Sequence, residues 1–212
     1  MAGIGDYPLS HLAVALNRRD EVPNVELAEQ IAAKGDRVAV QVLVDALASK
    51  HKGVPEDSIK ALYEIGMRRP TLLVRHLDAF VPHLRSKNGR MVWGAMHAIH
   101  QVARIQPSLV EPYLPRILKV ADGDSVIARD HAVGILIAVA SDECHKSVAF
   151  ALLDVLDRAP DNQFPSYAEK GFDVLSRADS AGFREVLVRR LAKMPPSTKA
   201  NRVAAVLKKL SG

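Results

Sequence analysis

The chain has 212 residues, 48% hydrophobic and 25% charged, with a net charge of +5 and a single cysteine, Cys144. That supports a folded protein with a sizeable core and rules out an internal disulfide framework, in keeping with a reducing compartment. No apolar run reaches the roughly 18 to 20 residues that span a bilayer, and residues 1–10 lack a basic stretch followed by an apolar one, so no secretory signal is visible and cytoplasmic residence is expected.

Helical periodicity dominates from the start. Leu9, Leu12, Ala13 and Leu16 have the spacing of an amino-terminal helix within residues 1–22, expected to cap the fold. A hexad then recurs five times: an apolar or small pair, two variable residues, and a second such pair. It runs through Leu27–Ala32, Ala61–Gly66, Ala98–Ala103, Ala132–Ile137 and Gly171–Ser176. The first positions lie 34, 37, 34 and 39 residues apart, a period that signals stacked helical hairpins. Each hexad sits in the first helix of a pair, and a second amphipathic helix follows a short break. The breaks are Gly35 and Asp36, Pro70, Pro107, Ser141 with Asp142, and Asp179 with Ser180. Proline ends one helix and is tolerated in the first turn of the next, and Ser and Asp are good amino-terminal caps.

The second helices are expected to bury Leu73, Leu77, Phe80, Val81 and Leu84 in the second unit and Val110, Leu114, Ile117, Leu118 and Ala121 in the third. In the fourth they bury Val148, Leu152, Val155 and Leu156, and in the fifth Phe183, Val186, Leu187 and Leu191. The fourth unit's first helix, from Val126 to Val139, is apolar almost all round and should be covered on several sides. A carboxy-terminal helix with Val203, Val206, Leu207 and Leu210 completes the set. The expected fold is all-α: a right-handed superhelix, or α-solenoid, of about five hairpins over residues 23–194, with capping helices at 1–22 and 195–212, forming one repeat domain.

With Ala61–Gly66, Pro70, Pro107, and Val126 and Arg129 ahead of Ala132, the chain resembles the HEAT-repeat family over residues 24 to about 194. The resemblance implies helical hairpins whose second helices line a concave face. Of the positions left over after burial on those helices, Arg75, His76, Arg116, Lys119, Lys146, Asp154, Arg184, Arg189 and Lys193 form a polar, mostly basic row. Such a row suits a partner's acidic strip or a phosphate backbone, and it is also what an ordinary solvated helix face carries. Charge along the chain alternates: residues 1–53 balance at −1, 54–122 at +4, 123–162 at −4 and 163–212 at +6. Two basic stretches flanking an acidic one fit nucleic acid less well than a continuous positive track would. Stacking aromatics are sparse, with Trp93, Tyr113 and Phe150 the ones near the row.

Chemistry-bearing motifs are few. His97 and His100 share a helix face, and His131 follows His97 by 34 residues, so three imidazoles on neighbouring helices face a zinc test. No close His-Glu pairing of the kind used by metal-dependent HEAT-type hydroxylases accompanies them, and packing histidines are expected. Cys144 and His145 are adjacent, about 100° apart on a helix, which is the wrong geometry for a nucleophile and its base. Phosphate-loop and dinucleotide fingerprints are absent. Alkylpurine DNA glycosylases, built on HEAT-like repeats, place a catalytic Asp beside tryptophans; here Trp93 is the sole tryptophan and His97 lies one turn on. The expectation is therefore a non-enzymatic scaffold for a protein partner, with no catalytic residue, cofactor, metal, membrane or small-molecule substrate. A nucleic-acid-binding or base-excision module is the second reading.

Overall fold

The computed structural model describes residues 3, 5–141 and 147–211, and every regular element among them is helical. Backbone contacts divide the chain into two compact units, Met1–Ala132 and Val133–Gly212. No helix is long and apolar enough to cross a membrane.

In the amino-terminal unit the first helices are α1 (Val22–Lys34), α3 (Val54–Arg68) and α5 (Gly89–Ala103), with α1 against α3 and α3 against α5. The hexads make those contacts. Leu27, Ala28 and Ile31, then Ala61, Leu62 and Ile65, then Ala98, Ile99, Val102 and Ala103 are almost completely buried. Small residues set how closely the helices approach. A Cβ on Gly94 of α5 would lie 2.5 Å from Cγ1 of Ile59 on α3, so only glycine fits there without a shift.

Each turn of the unit has its own chemistry. Gly35 ends α1 in the left-handed region, at φ 66°, and Asp36 then caps α2 (Arg37–Asp45) by accepting from the Ala39 amide at 2.9 Å. The second element of the next repeat departs from the single helix expected. It comprises 3-10 turns at Pro70–Leu72 and Val74–His76, a short α4 (Leu77–Phe80), and a further 3-10 run at Val81–Arg85. Pro70 and Pro82 supply no amide hydrogen, which favours short tight turns over one continuous ladder. Prolines divide the third repeat's element likewise, into α6 (Pro107–Val110), a 3-10 turn Glu111–Tyr113 and α7 (Leu114–Ala121). Asn88 caps α5 through the Arg90 amide at 3.0 Å, so Asn88-Gly89 is a turn between helices as its sequence suggests.

The amino-terminal capping helix is not formed. Its segment holds a 3-10 turn, Leu9–His11, followed by further turns ending at Asn17, whose φ is 53°. Leu9, Leu12 and Ala13 are buried as expected, but Leu16 is exposed. Side chains distant in sequence take the place of helical acceptors: Asn24 Oδ1 accepts from the Ala13 amide at 2.9 Å and Asp57 Oδ2 from that of Val14 at 2.7 Å.

Helix α8 (Val126–Ala140) contains the boundary between the units. Ala128, Ala132, Val133, Ile135, Leu136 and Val139 are buried around more than one side of it, while Val126 and Ile127 at its start are exposed. Asp142, expected to help cap the next helix, lies outside the described residues.

The carboxy-terminal unit continues with α9 (Val148–Asp157), α10 (Phe164–Ala178), α11 (Ser180–Leu191) and α12 (Thr198–Lys209). Helix α10 packs on α9, α11 and α12, and the fifth hexad contributes buried Gly171 and Leu175. Asp179 and Ser197 cap α11 and α12 through the amides of Gly182 and Ala200. The carboxy-terminal helix forms as expected, with Val203 and Val206 buried.

Candidate functional site

In the amino-terminal unit the second elements present three cations outward. Arg75 lies in the 3-10 turn Val74–His76, and Arg116 and Lys119 are three residues apart on α7, a spacing that puts both on one helix face. All three are exposed and form no ion pair among the described residues. Neighbouring acids on this face are engaged. Asp45 accepts from Gln41 Nε2 at 2.8 Å, and Asp78 accepts a hydrogen bond from the Tyr113 hydroxyl, which joins the second and third repeats.

His76 differs from expectation: it is 7% exposed, a core residue and not part of the surface row. It closes the 3-10 turn Val74–His76, which follows another at Pro70–Leu72, and at about three residues per turn these rotate it inward from the position an unbroken α-helix would give. Burial, with a smaller contribution from the Arg75 charge, holds its imidazole below the usual histidine range; Asp45 opposes that shift.

In the carboxy-terminal unit, Arg184, Arg189 and Lys193 are exposed, but two of them are committed. Arg184 donates to Ser211 Oγ at 2.9 Å and to the Leu210 carbonyl at 3.4 Å, and Arg189 pairs with Asp157 at 2.7 Å. Arg190, which the sequence pattern did not single out, is engaged on several sides. It donates to the carbonyls of Asp157 and Ala159, pairs with Asp161, and lies 4.3 Å over the Phe164 ring. It thus satisfies carbonyls that helix α9 leaves open at its end. Lys146, like Cys144 and His145, lies outside the described residues.

A second cluster occupies the first helices of the amino-terminal unit. His97 is stacked between Tyr63, at 4.4 Å, and His131, at 4.3 Å, while His100 meets His131 edge-on with 3.3 Å between their Nδ1 atoms. Stacked rings do not point their nitrogens at a common centre, and no group of three His, Cys, Asp or Glu that could hold a metal occurs among the described residues. Burial, and secondarily the facing His131, push the His97 imidazole down to about 4. Beside it Lys60 bridges Glu21 and Glu64, and Arg68 bridges Glu64 and Glu29. This cluster joins neighbouring repeats by stacking and ion pairing, and its acids and bases are used on one another.

Comparison with solved structures decides the fold. A designed armadillo repeat protein in complex with the peptide (KR)4 superposes with a TM-score of 0.66 at 16% identity, over 88% of this chain and 86% of that one. An engineered protein gives 0.64 at 17% identity, over 92% and 93%. The chain has the α-solenoid fold of HEAT and armadillo repeats. A HEAT-like repeat protein from the archaeon Thermococcus onnurineus NA1 also matches this solenoid, at a TM-score of 0.51 and 14% identity over 91% and 98% of the two chains. No protein-family profile and no curated protein matches the sequence.

Proposed function

We propose that this solenoid is a non-enzymatic scaffold that binds a protein partner along the second-helix face of its amino-terminal unit. The observation that carries the proposal is the trio Arg75, Arg116 and Lys119, exposed and without ion pairs among the described residues, beside acids that are already hydrogen-bonded. Exposed cations that are not held in ion pairs attract an anionic partner and raise its rate of encounter. A solenoid of comparable fold was solved with a basic peptide, (KR)4; here the charge is reversed, so an acidic segment is the matching ligand. Tyr113 is one aromatic ring beside Arg116, short of the series of rings on which successive bases stack, so nucleic acid finds little support on this face.

Retention of proteins from cell extract by the wild-type chain, compared with the Arg75→Glu/Arg116→Glu/Lys119→Glu variant, tests this. Specific proteins retained by the wild type should be lost from the variant. Retention of nucleic acid alone, or an unchanged protein profile on the charge-reversed chain, contradicts it.

A further inference from the structure

Beside the first repeat's second helix there is a cavity of about 390 Å³. It arises where α2 stops at Asp45: the chain makes a 3-10 turn, Ala46–Ala48, and becomes extended at Ser49, leaving a gap against the amino-terminal turn that carries Leu9. Leu9, Val42 and Ala46 give it an apolar wall, and Asp45 and Lys50 stand at its polar edge. The volume falls in the range of pockets that bury most of a ligand, and exceeds what one aliphatic side chain needs.

The cavity adjoins the basic row. Asp45 is close enough to His76 for its charge to act on that imidazole, as does the charge of neighbouring Arg75. Past Arg75, the Asp78–Tyr113 bond leads to α7, where Arg116 and Lys119 follow Tyr113 at three-residue steps. The pocket and the three cations thus belong to the second elements of three successive repeats within one unit.

We infer that the segment bound on this face is an acidic peptide carrying one large aliphatic residue, with that side chain in the Leu9–Val42–Ala46 cavity and its carboxylates on Arg75, Arg116 and Lys119. This rests on the scaffold assignment and adds the identity of the ligand to it. The apolar anchor adds roughly tenfold to the affinity, and the cations attract the acidic segment and set its orientation and charge selectivity.

Fluorescence anisotropy with synthetic eight-residue Asp/Glu peptides tests it. The peptide with one central Leu should bind the wild-type chain, and its Leu→Gly counterpart should bind roughly tenfold more weakly, the loss expected from exposing one leucine side chain. Val42→Asn in the protein should reproduce that loss, Arg116→Glu/Lys119→Glu should abolish binding, and a basic peptide with the same Leu should fail to bind. Equal affinity for the Leu and Gly peptides, preference for the basic peptide, or no binding of any acidic peptide overturns the inference. If the peptides fail while extract proteins still depend on the three cations, the anchor is wrong and the scaffold assignment stands.

Discussion

His97 is half-buried between Tyr63 and His131, with Lys60 and Glu64 of α3, and His100 and His131, as the charged or titratable groups around it. Its pKa falls from an ordinary 6.5 to about 4, chiefly because burial penalises the imidazolium. The unfolded chain therefore takes up a proton at this site near pH 6.5 while the folded chain resists until about pH 4. Stability at this site is complete above the unfolded value and is lost as pH falls through that window. Because solvent reaches part of the ring, the cost is about 1 to 2 kcal/mol, below a full conversion of the shift. Thermal unfolding measured from pH 7 down to pH 4 should show a smaller acid-side drop in Tm for His97→Gln than for the wild type. Parallel curves for the two proteins would remove His97 from the account. The side chains that resisted prediction from sequence are instructive at this scale. Helical spacing placed Arg184 and Arg189 correctly at the surface, but their partners, Ser211 and Asp157, lie 27 and 32 residues away, and no local pattern encodes such pairings.

At the scale of the element, the first three hexads were legible because they specify burial, and burial follows the 3.6-residue period wherever a helix runs unbroken, while in the last two Ile137, Phe172 and Ser176 are only half-buried. Legibility ended where the backbone left that period. The stretch from Pro70 to Arg85 kept its apolar residues inward, with Leu73, Leu77, Phe80, Val81 and Leu84 all buried, yet its 3-10 turns moved His76 from the face to the core. The amino-terminal segment was harder still. Its apolar spacing matched a helix, but Asn24 and Asp57 capture its amides from other elements, an outcome set by tertiary packing. The closeness of α3 and α5 gives a sharper prediction. Alanine is better than glycine in a helix by about 1 kcal/mol, so Gly94→Ala would stabilise an isolated α5. Against Ile59, at 2.5 Å from the added Cβ, the substitution overpacks the interface instead, a penalty of about 1 to 3 kcal/mol. Urea unfolding should show Gly94→Ala destabilised by up to about 2 kcal/mol, the overpacking penalty less the helix-propensity gain; a stabilising effect would mean that these helices do not approach so closely.

For the molecule as a whole, repetition explains why architecture was readable and activity was not. Stacked hairpins need the same packing residues in every repeat, which writes the fold into the sequence several times over. Binding residues occupy the positions that packing leaves free, and nothing in the repeat distinguishes a working cation from a solvated one. The difference comes from neighbours: Arg75, Arg116 and Lys119 carry no ion pair among the described residues, whereas Arg189 and Arg190 are paired within their own unit. On that difference we propose the second-helix face of the amino-terminal unit as the binding face. Amide hydrogen exchange of the wild-type chain, with and without the Leu-containing acidic peptide, tests that assignment most directly. Protection is predicted in residues 42–51, 74–85 and 114–121, with little change elsewhere; protection confined to α3 and α5, or to the carboxy-terminal unit, would contradict it.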